Sequence, residues 1–249
     1  MNVGRPTTFV TESMGKDKLK KWEENKAFPH VFEPPLLPVI RGHEEYAGKG
    51  LWRRDVFRND RPIVLELGCG KGEYTVGLAR RYPGVNFIGV DVKGHRFHKG
   101  ARESHLAGLS NVAFLRTRVE FIEAFFGPGE IDELWITFCD PFPLDRSGHR
   151  RMTSPWYLDK YRKICKPDFL IHLKHDNADL FSRTRKEWEE SGLEILMASD
   201  DIYGLFGDEV DESTRDLLGI RTFYETMWLE EGRKITYLRA RNQPGSCET

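Results

Sequence analysis

The chain has 249 residues, 39% hydrophobic and 31% charged, which describes a soluble globular protein of one large domain or a domain with extensions. No apolar run approaches the roughly 20 residues of a membrane span, and "MNVGRPTTFVTESMGKDKLKKWEENK" carries no apolar block of signal-peptide type, so a cytoplasmic protein is expected. The net charge of −1 argues against a chain that is basic throughout, but it leaves room for a basic face, because a polyanion responds to local potential.

Residues 1–60 lack regular alternation, contain "FPHVFEPPLLPV", and are expected to form an arm packed on the domain that follows. From about residue 62 short apolar runs alternate with amphipathic segments. The runs are "PIVLELG", "VNFIGVDV", "NVAFLRT", "IDELWITFC", "DFLIHLKH", "LEILMAS" and "KITYLRA". Runs rich in Val, Ile, Leu and Phe, flanked by Gly, Asp or Asn, fit strands buried on both faces. Helices are predicted over 72–82, 95–108, 119–126, 154–165 and 177–191; Ser154 can cap the fourth, with Pro155 at its first position. Strand–helix alternation implies an α/β fold around a largely parallel sheet, and 61–249 is the expected domain. The acidic stretch 206–218 is expected to be a mobile loop. Cys69, Cys139, Cys165 and Cys247 are far apart with no CxxC or His-Cys spacing, which points to neither a disulfide framework nor a zinc site.

"VLELGCGKGEYT" puts Gly68, Gly70 and Gly72 where the first strand of this domain turns into its first helix, so the backbone can turn sharply and approach a ligand. Position 73 is Glu, so the spacing departs from the dinucleotide fingerprint. Glu66 lies inside the strand, and Asp91 closes the next one, 19 residues after Gly72, where an acid can hold both hydroxyls of a ribose. Glu66 could equally be a buried strand acid with a partner of its own, and Asp91 a turn former.

An in-strand acid before GxGxG, with a second acid closing the next strand, resembles the S-adenosylmethionine site of Rossmann-like methyltransferases. That resemblance implies a doubly wound, mostly parallel seven-stranded sheet with an antiparallel final strand. It implies Glu66 near the amino-acid end of the cofactor, Asp91 on its ribose, and Asp140, at the end of "IDELWITFCD", beside the methyl donor.

"DPFPLDRSGHRR" is similar to the Asp-Pro-Trp-Pro motif and basic loop of the bacterial tRNA (guanine-N(7)-)-methyltransferases. "HLKHDN" and "TFYE" match further stretches of that family in the same order, and "GKDKLKKWEENKAFPHVFEP" resembles its N-terminal arm. The resemblance implies methyl transfer to the 7-nitrogen of a guanine in tRNA, at position 46 in the variable loop. Asp140 is then the catalytic candidate, and Asp176, Thr222, Tyr224 and Glu225 face the nucleoside. Phe142 replaces the family's Trp; Leu144 and Ser147 stand where Lys and His are common. Arg118 replaces an acid that reaches adenine, so that contact is lost or passes to backbone around Arg118 and Val119.

The guanine nitrogen carries a lone pair and no proton, so catalysis should rest on positioning and electrostatics rather than on a general base. Residues 144–166 hold seven Lys/Arg against two acids. Arg146, His149, Arg150 and Arg151, with Lys160 and Lys163, are expected to hold phosphates, and Phe142 to stack on a base swung out of the tRNA. The expected partner is tRNA; no metal or membrane is expected, and the chain is a monomer or homodimer. Two rivals remain: a small-molecule methyltransferase, which leaves the basic run unexplained, and a non-catalytic RNA-binding module, which predicts an impaired cofactor site.

Overall fold

The seven apolar runs are all strands; most are largely buried, whereas "LEILMAS" at the edge of the sheet is buried only at its two ends. The computed structural model describes residues 9–35, 38, 39, 41, 46–142, 150–205 and 210–244, with residues 9–16 as backbone only. In chain order, helix α1 (Phe9–Asn25) and strand β1 (Val31–Phe32) precede a π-helical turn at Trp52–Phe57. Then come β2 (Ile63–Leu67), α2 (Glu73–Arg81), β3 (Asn86–Asp91), α3 (Gly94–Leu106), β4 (Val112–Arg116) and a 3₁₀ segment at Val119–Ala124. After them run β5 (Ile131–Thr137), α4 (Pro155–Ile164), β6 (Cys165–His175), α5 (Ala178–Glu190) and β7 (Leu193–Ser199). Helices α6 (Glu212–Leu218) and α7 (Phe223–Glu230) lead into the last strand, β8 (Thr236–Asn242).

Among the described residues the sheet has eight strands, in the order β1-β4-β3-β2-β5-β6-β8-β7. All neighbours run parallel except β8, which is antiparallel to both β6 and β7. The Rossmann-like doubly wound architecture holds, with one strand more than the seven expected. The addition is β1, whose two residues pair with Phe114 and Leu115. Chain order moves outward in one direction from β2 through β4 and in the other from β5, so the crevice between β2 and β5 opens at their carboxyl ends, where such sheets take ligands.

Successive strand residues face opposite layers. Leu65 and Leu67 join one core with Ile136, Leu158, Tyr161 and Trp52, whereas Val64 joins the other with Phe87, Phe97, Phe114 and Trp135. The residues before β2 are tied to both layers. Trp52 is fully buried and donates to Phe125 O at 2.9 Å, and Glu130 accepts from Gly50 N and Trp52 N at 2.9 and 2.8 Å. Asn25 donates to Gly94 O at 3.0 Å, which binds the end of α1 to the start of α3.

Three local expectations need correction. The stretch 119–126 makes a short 3₁₀ segment and not an α-helix. Pro155 does open α4, but the Ser154 hydroxyl makes no capping bond and is buried without a partner among the described residues. Within the acidic stretch, Glu212–Leu218 is helical, because Asp211 accepts from Thr214 N at 2.9 Å and caps the first turn. No helix among the described residues is long and apolar enough to cross a membrane.

Candidate active site

The loop after β2 places its three glycines at φ of 74, 55 and 73° for Gly68, Gly70 and Gly72, a region costly for other residues. Two of them do different work. A Cβ on Gly72 would lie 2.6 Å from the Phe114 ring and 3.4 Å from the Gly100 Cα, so this glycine lets α2 and α3 approach. A Cβ on Gly70 would meet only the Gly68 carbonyl, at 4.0 Å, so the backbone there is open on its outer side. Open backbone at the carboxyl end of β2 is what a ligand can approach closely.

Glu66 shares its face of β2 with Val64 and points under α2. One oxygen accepts from Thr75 N at 2.9 Å and from the Thr75 hydroxyl; the other accepts from the Thr137 hydroxyl at 2.6 Å. Burial outweighs these donors and raises its pKa to about 7. Glu66, expected near the amino-acid end of the cofactor, is buried with partners of its own and joins the first turn of α2 to β5.

Asp91 ends β3 at the floor of the crevice. Its oxygens accept from Gly70 N at 3.1 Å and Lys93 N at 2.7 Å, which locks the glycine loop against the end of β3. Burial raises its pKa, against those two backbone donors and the nearby Arg96 and Lys93 charges. A carboxylate has room for about four hydrogen bonds, so two acceptor positions are left for hydroxyls of a ligand.

A cavity of about 580 Å³ gathers Gly68, Asp91, Arg118, Val119 and Asp140 with Phe142 and Arg150 at its rim. Met152, Trp156 and Tyr157 add an apolar wall that the sequence did not mark as part of the site. The Arg118 guanidinium is held by Glu120 at 2.5 Å and is exposed, so it offers the cavity no acid. The Arg150 guanidinium lies 4.8 Å from the centre of the Phe142 ring, a cation–π pair at the mouth.

Asp140 is exposed, and a buried histidine holds the chain just before it. His175 accepts from Asn177 N at its Nδ1 (2.9 Å), so Nε2 carries the proton and donates to Cys139 O at 2.7 Å. Burial lowers the His175 pKa, which keeps this neutral tautomer. Phe138 and Phe142, on either side of Asp140, both have positive φ, of 49 and 31°, so the backbone through Asp140 is bent out of the strand under strain. Asp176, next to His175, is half-buried and paired with Arg233 at 3.1 Å.

The other residues expected to meet the nucleoside or the phosphates do not line this cavity. Thr222 and Glu225 form a reciprocal capping box at the start of α7, and Glu225 is fully buried in an ion pair with Lys174 at 2.6 Å. Neither side chain faces the cavity; Tyr224, between them, is half exposed. The Arg151 side chain is only 4% exposed and pairs with Glu187 at 2.5 Å, so as placed its charge is turned to α5 and away from solvent. Lys160 and Lys163 both reach Glu123, at 3.1 and 3.3 Å, though Lys163 stays exposed. Arg146 and His149 lie outside the described residues.

Comparisons with known proteins give the family and the fold. Residues 60–238 match the family described as "Putative methyltransferase". A tRNA (guanine-N(7)-)-methyltransferase of Bacteroides thetaiotaomicron is 46% identical over 228 residues, 92% of this chain and 86% of that protein. One from Christiangramia forsetii is 44% identical over 224 residues, covering 90% and 97%. Among solved structures, the 16S rRNA methyltransferase KamB aligns with a TM-score of 0.55 at 15% identity, over 74% of this chain and 88% of that one. A 30S ribosomal methyltransferase from an uncultured bacterium aligns with 0.53 at 17%, over 76% and 91%; at such identities the likeness is one of fold. With the glycine loop, Asp91 and Asp140 around one cavity, and relatives this similar over nine tenths of its length, the chain belongs to the tRNA (guanine-N(7)-)-methyltransferase family.

Proposed function

We propose that the chain transfers the methyl group of S-adenosylmethionine to the 7-nitrogen of a guanine in tRNA, at position 46 of the variable loop, in the cytoplasm. The observation that carries this reading is the cavity in which Gly68 of the glycine loop, the ribose-competent Asp91 and the exposed Asp140 meet, with a cation–π pair at its mouth. S-adenosylmethionine, when bound, supplies an electrophilic methyl on a sulfonium. Asp91 would hold the ribose with the lone pairs left over from Gly70 and Lys93. Thr117, Val119 and the apolar wall would take the adenine, since the Arg118 side chain is turned to Glu120.

Asp140 has no proton to remove. Its fixed negative charge favours the guanine as it becomes cationic, and its oxygens can accept from the ring N–H and amino group that distinguish guanine from adenine. Asp176, neutralised by Arg233, is the weaker candidate for this role. Phe142 offers a ring for the extruded base and Arg150 a charge for a neighbouring phosphate. Residues 1–60 act as an arm of the 61–249 methyltransferase domain in this reading. The test is transfer of labelled methyl from S-adenosylmethionine to bulk unmodified tRNA, with nucleoside analysis. Label in 7-methylguanosine is the expected result. Label confined to small molecules, or no label in folded, cofactor-bound protein, would overturn it.

A further inference from the structure

Beside the cavity, two clefts run between α1, α3 and the glycine loop. Lys18, Lys93 and Arg116 line the first; Lys21, Lys71 and Arg96 line the second, and His95 belongs to both. No Asp or Glu lines either cleft among the described residues. Lys99 also borders the second cleft but is neutralised by Glu73 at 2.6 Å. Lys18, Lys21, Lys93 and Arg96 are exposed, and none makes an ion pair with a described residue.

We infer that these clefts form a second docking surface for the tRNA, on the face built by α1 and α3, continuous with the cavity and distinct from the Arg150 loop. The inference rests on the proposed tRNA activity and adds to it the surface that carries the body of the substrate. Three features favour a nucleic acid over an acidic protein. First, the cations form a track. Lys93 and Arg96 border the cavity as well as the clefts, so basic residues extend from Asp91 to α1 past the single Glu33 carboxylate that holds Trp22 and Asn25. Lys18 and Lys21 are three residues apart and share a helix face.

Second, exposed rings are interleaved with the cations. Arg116 lies 5.4 Å from the centre of the Trp22 ring, and Trp22 is 40% exposed, its indole N–H anchored on Glu33. Lys71 lies 3.9 Å from the Phe223 ring, which is 55% exposed beside the equally open Tyr224. Cations next to accessible aromatic faces are the means by which proteins hold ribose–phosphate backbones and unpaired bases. Third, the local potential is positive enough to act on a neighbour. The His95 pKa is lowered first by burial and then by repulsion from Lys18, Arg96, Lys93 and Lys21. A chain of net charge −1 thus keeps a concentrated basic face.

The test compares the intact chain with Lys18→Gln/Lys21→Gln and Lys18→Arg/Lys21→Arg, measuring affinity for unmodified tRNA across a salt series. Both lysines are exposed on α1, and circular dichroism checks that the fold is kept. If both contact phosphates, the Gln pair should bind tRNA more weakly, with a log–log salt slope shallower by about 1.4 to 1.8. The Arg pair should restore both, and S-adenosylmethionine affinity by calorimetry should not move. Parallel salt lines of equal height for the Gln pair would overturn the surface. So would a loss of affinity that the Arg pair shares. These outcomes are separate from failure of the activity itself, because intact protein that binds tRNA but makes no 7-methylguanosine leaves the salt comparison readable.

Discussion

His175 Nε2 lies 2.7 Å from the Cys139 carbonyl oxygen, so the end of β6 holds the residue that precedes Asp140. The same ring accepts from Asn177 N at 2.9 Å, at the start of α5. One neutral imidazole therefore spaces the two loops that carry the exposed Asp140 and the half-buried Asp176. His175→Ala would leave a buried carbonyl and an amide N–H unpaired, at about 1 to 3 kcal/mol each. Turnover at saturating substrates should fall more than tRNA affinity, because Asp140 is displaced while the basic surface is untouched. His175→Gln, which keeps a donor and an acceptor, should recover part of it. A folded Ala variant with wild-type kcat would remove this role.

Glu66 predicts a pH dependence of stability. Its folded pKa of about 7 lies above the model-peptide value of 4.5, so the folded state takes up a proton that the unfolded chain has lost between those values. The group's contribution is fully present below about pH 4.5 and is lost as pH rises through about 7. The gap corresponds to on the order of 3 kcal/mol. In Glu66→Gln the amide oxygen can still accept from Thr75, and the amide nitrogen can donate to the Thr137 hydroxyl, which reverses. The variant's Tm should then be flatter than wild type between about pH 5 and 8; superimposable profiles would show that Glu66 does not titrate there.

Two adjacent arginines should behave oppositely. Arg150→Ala removes an exposed guanidinium, so stability should change by no more than about 0.5 kcal/mol. Its tRNA salt slope should be shallower by somewhat under one. Arg151→Ala leaves the Glu187 carboxylate without its ion-pair partner beside a buried gap and should cost about 3 to 5 kcal/mol, as breaking buried pairs does. Measured well below its Tm, Arg151→Ala should keep the wild-type salt slope. A shallower slope for Arg151→Ala alone would reverse the assignment.

Lys174 is the hub beneath α7. Its ammonium reaches Glu225 at 2.6 Å, Leu218 O at 2.8 Å, Ile220 O at 3.1 Å and the Tyr203 hydroxyl at 3.1 Å. Burial lowers its pKa to about 8 despite Glu225. Lys174→Met strands a fully buried carboxylate and should cost about 3 to 5 kcal/mol. Adding Glu225→Gln, which preserves the cap on Thr222, should cost less than the two single changes summed. Denaturant titrations of the four proteins give that comparison; strict additivity would mean that the pair is not coupled.

The central strands were legible because a strand covered on both faces must be apolar along its length, as in "VNFIGVDV"; "LEILMAS" was legible as an apolar run although only its ends are buried. Asp91 and Asp140 were legible for a related reason: an acid closing such a run stands at the carboxyl edge of the sheet. Contacts made across the fold were not. "RR" at 150–151 cannot say which arginine turns inward; that depends on Glu187 and on how α5 packs. Helix α7 is hard to see in the sequence although Thr222 and Glu225 have the spacing of a capping box, because its apolar residues do not gather on one face. His175 lay within a quoted motif, yet nothing local shows that its partner is a carbonyl 36 residues earlier.

The two-residue strand β1 also has a consequence for solubility. It covers Phe114 and Leu115 on β4, and His30 O accepts from Phe114 N at 2.8 Å. Without it, the sheet would end in a five-residue, almost wholly buried apolar strand with open amide and carbonyl groups. Such a margin is a template on which another chain can add a strand. Because β1 is so short, the sheet finishes on a margin too small to recruit a neighbour. A truncation that starts the chain at residue 61 would thus risk clumping rather than a clean loss of activity, and light scattering would detect it before any assay of methyl transfer.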